Sequence, residues 1–274
     1  MHILIGILTS NKLDKLERCL KSAYQQATPS DIIVIINTQN DDYVKKAEKL
    51  CQKYCVKSVV TESNGKPGKG KNAVIKYFLS TEYQYLLPVD GDDFLLPNAL
   101  SILSNVANNN DIDVLGLIDC LALHKNRYLT VEEWLHDSDY MNRVVKNISQ
   151  ADLRKFNLHI ERIRRTSTEH GNFFNRFVLV SQKAAKYINY DEEMGGAEDV
   201  REGLLLKLLH HQNKINYLLL SNKDVYVHDV SDEGVFFQVL CKCDPASEKQ
   251  LFWQGLNNED IEILRSFQLD KTYG

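Results

Sequence analysis

The octapeptide Leu86-Leu87-Pro88-Val89-Asp90-Gly91-Asp92-Asp93 joins an apolar run to three carboxylates that follow it directly. Residues 83–89 have the length and the aliphatic and aromatic content of a buried strand. The carboxylates then lie where the strand ends, and ligands of α/β sheets collect outside the carboxyl ends of strands. Neighbouring like charges need a positive charge to neutralise them, which a hard divalent cation supplies. The octapeptide therefore predicts a metal that holds an anionic, phosphorylated substrate; an acidic turn-forming loop is the simpler alternative.

The composition is that of a globular protein with a large core, since 43% of the 274 residues are hydrophobic and 26% are charged. The net charge of −4 argues against a generally basic protein that coats nucleic acid. The six cysteines form no zinc-finger spacing, which favours free thiols in a reducing compartment. No apolar stretch reaches the ~20 residues that span a bilayer, so we expect a cytoplasmic protein without a membrane span.

Strand-like and helical patterns alternate along the first half of the chain, which implies a mostly parallel sheet with helices on both faces. The first five strands are expected at residues 3–8, 31–36, 56–61, 83–89 and 112–118. A glycine- and lysine-rich loop at 62–71 is expected before the third helix. The middle, about 119–169, is less regular, and we expect two helices there, at 131–147 and 150–165. Later elements are expected as strands at 173–180, 215–220 and 224–229, an amphipathic helix at 197–211 and a helical tail at 245–268.

Five short motifs follow one another over residues 2–230. They are Ile5–Asn11 at the first strand end, Gly65–Asn72 before the third helix, Asp90–Asp93, Gly195–Asp199 at a later helix start, and His228 at a late strand end. In this order and approximate spacing, the chain resembles the GT-A glycosyltransferases, specifically the inverting family-2 type. The resemblance implies a Rossmann-like central sheet and the transfer of a sugar from a nucleoside-diphosphate sugar to an acceptor hydroxyl.

The resemblance also implies an organisation of the chain. Residues 1–230 are expected to form the GT-A domain, in which 1–120 bind the sugar nucleotide and 121–230 bind the acceptor and carry the catalytic residues. Residues 231–274 are expected to form a helical C-terminal extension.

The acidic cluster matches the family's DxD motif, which implies that Mn²⁺ or Mg²⁺ binds there together with the donor diphosphate. Asp92 and Asp93 are the first candidates for metal ligands, whereas Asp90 either ligates as well or orients the ribose or the loop. Gly91 belongs to the same donor-binding turn, as do Asp90 and Asp92. His228 matches a late histidine that serves as an additional ligand, and imidazole suits Mn²⁺ better than Mg²⁺. The alternative for His228 is a strand histidine bonded to backbone.

Glu198 and Asp199 open a predicted helix behind two glycines. In the resembled family this motif supplies the general base, and we assign that role to Asp199, which would take the proton of the acceptor hydroxyl. Glu198 is the second candidate for the base, or a contact to the acceptor. Acidic residues at a helix start are also ordinary capping and dipole chemistry, which is the structural alternative.

Donor contacts are also expected from the first two strand ends and the basic loop. Thr9 and Asn11 match the motif where the nucleoside usually sits, although Leu8 and Ser10 depart from the family pattern. Asn37 stands where the family has an acidic residue. Its amide could still hydrogen-bond the base of the donor, but because of this departure the base is not assigned as uracil. In the loop, the candidates for phosphate or base contact at the helix N-terminus are Lys69, Lys71 and Asn72. A solvated basic loop is the alternative.

The acceptor is expected to be a glycan or another hydroxyl-bearing molecule, held by the middle region, by residues 169–172 and by Asp119. Between Arg143 and Arg165 there are seven basic residues and two acidic ones. A solvated helical face is the default interpretation of this excess. The sharper hypothesis is an anionic acceptor such as a phosphorylated glycan, with nucleic acid as the less favoured case.

Two other functions remain open at this stage. A sugar-phosphate nucleotidyltransferase would carry a glycine-rich, arginine-bearing loop after the first strand, and residues 9–13 contain none. A non-catalytic GT-A scaffold would bind sugar nucleotides or proteins without turnover, and the set of Asp90–Asp93, Asp199 and His228 argues against it. The Gln-x-x-Arg-Trp signature of processive synthases is absent, which favours the addition of a single sugar.

Overall fold

The structure of the protein is a computed structural model that describes residues 1–117, 120–124, 127–130, 133, 176–195, 198–222, 224–230, 250–251, 253–266 and 272–273. The strands within these residues are β1 (Ile3–Thr9), β2 (Ile32–Ile36), β3 (Lys57–Val60), β4 (Tyr85–Asp90), β5 (Phe94–Leu95), β6 (Val114–Leu117), β7 (Leu121–His124), β8 (Arg127–Thr130), β9 (Phe177–Ser181), β10 (Tyr217–Leu220), β11 (Tyr226–Asp229) and β12 (Thr272–Tyr273). The helices are α1 (Leu13–Tyr24), α2 (Asp41–Lys53), α3 (Pro67–Leu79), α4 (Ala99–Asn109), α5 (Gln182–Ala185), α6 (Glu198–His211) and α7 (Asn258–Ser266).

The strands form a large sheet and a small one. The large sheet has the order β12-β10-β6-β9-β4-β1-β2-β3, and the small sheet has the order β5-β11-β7-β8. Strand β1 pairs in parallel with both β2 and β4, and β9 runs antiparallel to its neighbours β4 and β6. The predicted mostly parallel central sheet is therefore confirmed, with β9 as an antiparallel strand inside it.

Helices cover both faces of the large sheet, as the alternating pattern predicted. Along β1, Ile3, Ile5 and Ile7 point into one core together with α1, α2 and α4, whereas Leu4 points into the other core. That second core contains apolar residues of α3, α5 and α6. Burial on both faces explains why the central strands are continuous apolar runs rather than alternating ones.

Helix α3 begins earlier than predicted, so the expectation of a loop through residue 71 is wrong for residues 67–71. Pro67 occupies the first turn, where its missing N–H costs no hydrogen bond. Gly68 and Gly70 then allow close packing: a Cβ on Gly70 would lie 2.4 Å from Leu8 Cδ1 and 2.8 Å from Asn37 Cβ. These glycines therefore seat α3 against the sheet, which places Lys71 beside the ends of the strands.

The second half differs from the prediction in three ways. Strands β7 and β8 stand where an irregular region was expected, and β12 extends the large sheet beside β10. Helix α6 is not one-sided as predicted, because Leu206 faces the sheet core while Leu204 and Leu208 pack with Leu264 of α7. The helices predicted at 131–147 and 150–165 lie outside the described residues, apart from Glu133.

Across the described ranges, no helix has both the length and the apolar content that crossing a bilayer requires.

Gly68→Ala should destabilise the protein, although alanine normally favours a helix by about 1 kcal/mol. The new Cβ would lie 2.5 Å from the carbonyl oxygen of Asp191 and 2.8 Å from Glu192 Cα, both backbone atoms that cannot turn away. We expect a loss of about 1–3 kcal/mol in the free energy of unfolding, measured by urea denaturation. Lys69→Ala, at a half-exposed position of the same helix, is the control. A stabilised Gly68→Ala would contradict this packing.

Candidate active site

The ends of β4 and β11 bring the acidic residues and the late histidine together. The acidic residues follow β4 directly, and β5 then pairs antiparallel with β11, with Phe94 opposite Val227. Continued by one residue, this antiparallel register places Asp93, which precedes β5, opposite His228, which follows Val227 in β11. The pairing joins two motifs that are 135 residues apart in sequence.

Asp93 is completely buried and accepts hydrogen bonds at both carboxylate oxygens. Oδ1 accepts from His228 Nδ1 at 3.0 Å and from the Asp229 backbone N–H at 2.9 Å. Oδ2 accepts from Arg176 Nη1 and from the Tyr226 hydroxyl, each at 2.7 Å. Burial alone would raise the pKa of Asp93, but His228 and then Arg176 hold it well below its usual range. Asp93 is thus an ionised, fully bonded group. It lies at the centre of the cluster of Asp90, Asp92 and Asp93, which we call the acidic corner.

His228 is oriented by this contact. Burial lowers the pKa of His228, but the Asp93 carboxylate outweighs it and the net direction is upward. Nδ1 lies 3.0 Å from one Asp93 carboxylate oxygen and 3.1 Å from the other, which fixes the orientation of the imidazole ring. A carboxylate behind a histidine is the usual way in which proteins orient a metal-binding imidazole.

Asp92 differs from its two acidic neighbours. Burial, then the charges of Asp93 and Asp90, raise the pKa of Asp92 to about 6, and His228 opposes that rise. In the described part of the chain the Asp92 carboxylate accepts no hydrogen bond, while its backbone oxygen accepts one from Arg18 Nη2 at 2.8 Å. Asp92 is therefore the acidic side chain of this loop that gains most from an added cation.

Two cationic side chains of α1, Lys15 and Arg18, contact residues next to Asp93. Arg18 forms an ion pair with Asp229 and lies over the Phe94 ring, 4.5 Å from its centroid. Lys15 lies 3.3 Å from the other carboxylate oxygen of Asp229. Since Arg18 also holds the backbone of Asp92, α1 ties the acidic loop to the end of β11. Sequence reasoning missed both residues, because each looks like an ordinary polar position of an amphipathic helix.

Arg176, at the start of β9, is the other residue that the sequence did not reveal. Its guanidinium bonds the Asp90 carboxylate through Nη2 and the Asp93 carboxylate through Nη1. It is largely buried, with 13% of its side chain exposed, and its pKa is raised because Asp90 and Tyr226 outweigh the effect of burial. An arginine inside the apolar run 173–180 was the available signal, since buried charges need partners.

Lys71, Glu198 and Asp199 form a second charged group where α3 meets the start of α6. Lys71 Nζ lies 2.5 Å from Glu198 Oε1 and 3.8 Å from Asp199 Oδ2. Burial raises the pKa of Glu198 despite Lys71, whereas Lys71 and then Arg176 overcome burial and lower the pKa of Asp199. The Asp199 side chain is 41% exposed and that of Glu198 only 6%. Asp199 is thus the ionised carboxylate that solvent and substrate can reach.

One small cleft of ≈ 40 Å³ lies between the two charged groups. Asp90 and Arg176 line it from the acidic corner, and Lys71 and Asp199 line it from the helix starts. Its deeper walls are mostly apolar side chains of β1, β4, α3 and β9. Asp90 and Asp199, one residue from each of the two motifs predicted to act on the leaving group and on the acceptor, therefore face a common space.

Several predicted donor contacts have structural partners. Thr9 is buried and its hydroxyl bonds that of Tyr43, whose pKa is raised to about 12, chiefly by burial. The Asn37 amide donates to the Lys66 carbonyl at 2.9 Å, and its oxygen accepts from the Thr61 hydroxyl at 2.7 Å. These contacts tie the end of β1 to α2, and the end of β2 to Thr61 after β3 and to Lys66 before α3.

The remaining predicted donor residues are divided between structural and exposed positions. The Asn72 amide donates to the Tyr190 carbonyl at 2.9 Å and its oxygen accepts from the Tyr190 N–H at 2.8 Å. Asn11 is exposed and Lys69 is half-exposed. Gly91 packs closely, since an added Cβ would lie 2.8 Å from the Leu8 carbonyl oxygen. Asp119, residues 169–172 and the basic segment 143–165 lie outside the described residues.

The described side chains offer two ligands for a divalent cation, so its other ligands would have to come from water or from a substrate. In the parts of the chain that the structure covers, no group of three or more His, Cys, Asp or Glu side chains is arranged so that it could hold a metal ion by itself. Asp92 offers a carboxylate and His228 an imidazole, and each influences the pKa of the other. A carboxylate with additional oxygens from substrate phosphates is the usual arrangement for cations that bind with nucleotides.

Comparison with known families gives an independent result. The family described as "Glycosyl transferase family 2" matches residues 4–177, which is more than half of the chain. Among curated proteins, none matches.

Solved structures with a similar fold were also found. S. aureus TarS is similar at 19% identity and a TM-score of 0.56, over 95% of this chain and 45% of TarS. This chain thus spans less than half of that protein. TarS 1–349 in complex with UDP gives 20% identity and a TM-score of 0.56, over 98% of this chain and 73% of that one. The mannosyltransferase PcManGT from Pyrobaculum calidifontis, in complex with GDP-Man and Mn²⁺, gives 11% identity and a TM-score of 0.54, over 97% and 68%. The TM-scores of these structures show that they share a fold with this chain.

Glu202, one turn after Glu198, should make stability depend on pH. It is 1% exposed, its Oε1 accepts from the Asn189 N–H at 3.3 Å, and its Oε2 has no partner within the described residues. Burial raises its pKa from 4.5 to about 7, so the folded chain keeps a proton that the unfolded chain has lost. Stability should therefore fall by about 2–3 kcal/mol as the pH rises from 4.5 to 8.

The test compares Glu202→Gln with the wild type in urea unfolding at pH 4.5 and pH 8. Glutamine cannot ionise, so the variant should lose this part of the pH dependence. Glu82→Gln, at an exposed position, should keep the wild-type dependence. Identical pH profiles for wild type and Glu202→Gln would refute the buried, protonated carboxyl.

Proposed function

Since the chain belongs to glycosyl transferase family 2, we propose that this glycosyltransferase takes a sugar from a nucleoside-diphosphate sugar and adds it to an acceptor hydroxyl. We propose further that the transfer depends on a divalent cation and inverts the anomeric carbon. The observation that carries the proposal is the shared cleft, which is lined by Asp90 of the acidic corner and by Asp199. One side of this cleft suits a departing diphosphate and the other an incoming hydroxyl.

The donor class is supported by the neighbours of the same fold. TarS structures contain UDP or UDP-GlcNAc, and PcManGT contains GDP-Man with Mn²⁺. Because these neighbours carry different bases, we propose a nucleoside-diphosphate sugar and leave the base and the sugar open. Asn11 is exposed, and Lys69 is half-exposed near the start of α3, so we propose both for direct contact with the donor.

We propose Asp92 and His228 as the direct protein ligands of the cation, with Asp93 as the residue that orients His228. This assignment removes Asp93 from the direct ligands that the sequence predicted, because each of its carboxylate oxygens already accepts two protein hydrogen bonds. A bound Mn²⁺ or Mg²⁺ would supply positive charge to the diphosphate oxygens, on which negative charge builds as the sugar leaves. The imidazole ligand favours Mn²⁺.

We propose Asp199 as the general base. Lys71 and Arg176 keep it ionised, and its exposed position lets it receive a proton from an acceptor hydroxyl. Glu198 is buried against Lys71 and fixes that lysine beside Asp199. A base on one side of the sugar and a leaving diphosphate on the other correspond to a single displacement, which inverts the configuration.

The halves of the domain follow from where these groups originate. We propose that residues 1–120 bind the donor, because they contribute β1, α3 and the acidic corner. Residues 121–230 contribute α6 and the end of β11, and we propose that they receive a glycan or another hydroxyl-bearing acceptor. Residues 231–274 are proposed as an extension that supports α6, since Leu264 packs against Leu204 and Leu208.

Asp92→Asn should remove the cation-dependent part of nucleotide binding. An amide oxygen is a weaker ligand than a carboxylate, so the gain in UDP or GDP affinity on adding Mn²⁺ should fall at least about tenfold. The measurement is a thermal-shift and calorimetric titration of both nucleotides, with and without Mn²⁺. Asp14→Asn, an exposed acid of α1, is the control. Wild-type behaviour of Asp92→Asn would remove the metal assignment, and no nucleotide binding by the wild type would remove the proposed donor.

Asp199→Asn should spare donor binding and reduce transfer by about 10²–10⁴-fold, because asparagine cannot accept the acceptor proton. Donor affinity is measured by calorimetry and transfer by release of the nucleoside diphosphate in the presence of acceptor. Asp260→Asn, in the first turn of α7, has the same relation to a helix start and controls for dipole effects. Transfer at the wild-type rate by Asp199→Asn would exclude the base role.

A further inference from the structure

The acidic corner already contains a cation that belongs to the protein. The Arg176 guanidinium reaches two carboxylates at once, Asp90 through Nη2 and Asp93 through Nη1, the latter at 2.7 Å. A planar guanidinium with several N–H donors suits such a double contact better than an ammonium group does. Arg176 therefore lies between these two carboxylates and neutralises negative charge that a bound cation would otherwise neutralise.

The guanidinium is held in this place by more than charge. It lies over the Tyr226 ring, with its central carbon 4.7 Å from the ring centroid, and donates to the Tyr226 hydroxyl. Tyr226 is itself fully buried and donates to Asp93 at 2.7 Å. Arg176 also lines the cleft and helps to keep Asp199 ionised. It thus stands between the acidic corner and the general base.

This arrangement limits what a cation finds in the donor-free protein. Asp93 is saturated with hydrogen bonds, and Asp90 is paired with Arg176. Of the three acidic side chains, Asp92 alone accepts no hydrogen bond within the described residues. A cation that bound by itself would have to accept a small set of ligands or separate Arg176 from Asp90.

We propose that Arg176 is the internal counter-ion of the acidic corner and keeps its affinity for free divalent cations low. The cation then binds well only together with the donor, whose diphosphate oxygens complete the coordination. Arg176 is in this sense a positioning residue that makes cation binding conditional on nucleotide. The inference rests on the proposed function, because it assumes that the corner accepts a cation and a nucleoside diphosphate.

The physical reason is electrostatic competition. Two positive charges near the same carboxylates repel each other, so a cation that enters beside Arg176 gains less than it would beside unpaired carboxylates. Neutralising Arg176 removes that repulsion and releases Asp90. The affinity for a free cation should therefore rise, while the additional gain from nucleotide should shrink, because linkage between two ligands is reciprocal.

The experiment titrates Mn²⁺ into the donor-free protein and follows free Mn²⁺ by electron paramagnetic resonance. Arg176→Gln should bind Mn²⁺ alone about tenfold more tightly than the wild type. Arg176→Lys keeps one positive charge but loses the double contact, so its affinity should lie between the two. Lys183→Gln removes a lysine that pairs with Asp113 beyond the other end of β9, and should match the wild type.

Repeating the titrations with saturating UDP or GDP measures the coupling. Nucleotide should raise the Mn²⁺ affinity of the wild type strongly and that of Arg176→Gln at least about tenfold less. A folded Arg176→Gln that binds Mn²⁺ alone no better than the wild type would overturn the proposal. If Arg176→Gln does not fold, an Arg176→Lys affinity equal to the wild-type value overturns it instead.

The two proposals fail in different ways. If no nucleotide binds any variant but Arg176→Gln gains Mn²⁺ affinity, the counter-ion is upheld and the proposed donor is wrong. If nucleotide and Mn²⁺ bind the wild type together but Arg176→Gln leaves both affinities unchanged, the proposed function stands and the counter-ion is wrong.

Discussion

The buried carboxylate of Asp93 is the constraint on which the rest of the site depends. An ionised carboxylate inside a protein is costly unless charges and hydrogen bonds compensate it. Here the compensation comes from Arg176 before β9 and from Tyr226, His228 and Asp229 of β11. The small sheet is thereby locked to the acidic loop of the large sheet. The positions of Asp92 and His228 follow from this one group.

The same principle operates twice across the cleft. At the acidic corner a cation bonds a buried carboxylate and a neighbouring exposed one, and at the start of α6 Lys71 does the same with Glu198 and Asp199. In both groups the cation bonds the buried acid and also lies within ion-pair distance of the more exposed acid. Asp92 belongs to neither pair and accepts no hydrogen bond at its carboxylate within the described residues, and Asp199 has 41% of its side chain exposed, so these two carboxylates have the most capacity left for a ligand or a substrate.

The sequence predicted the sheet and the main acidic residues because both depend on local pattern. Apolar runs identify strands, and carboxylates directly after such a run identify a strand end that faces a ligand. It did not predict the partners of Asn37 and Asn72, because an amide that bonds backbone looks the same in sequence as one that bonds a nucleotide. Arg176 and Arg18 were missed for another reason. Their roles depend on which strands and helices become neighbours, and no spacing along the chain encodes that.

The fold places the adjacent acids Glu198 and Asp199 in different environments, one buried and one exposed. Successive residues of a helix point about 100° apart, so adjacent acids at a helix start cannot face the same environment. Packing of α6 between the large sheet and α7 fixes the rotation of the helix, as Leu206 on one side and Leu204 on the other indicate. That rotation turns Glu198 inward to Lys71 and leaves Asp199 at the cleft. Which of the two acids lies exposed at the cleft therefore depends on the packing of apolar residues one to three turns away, which a motif of two neighbouring acids cannot specify.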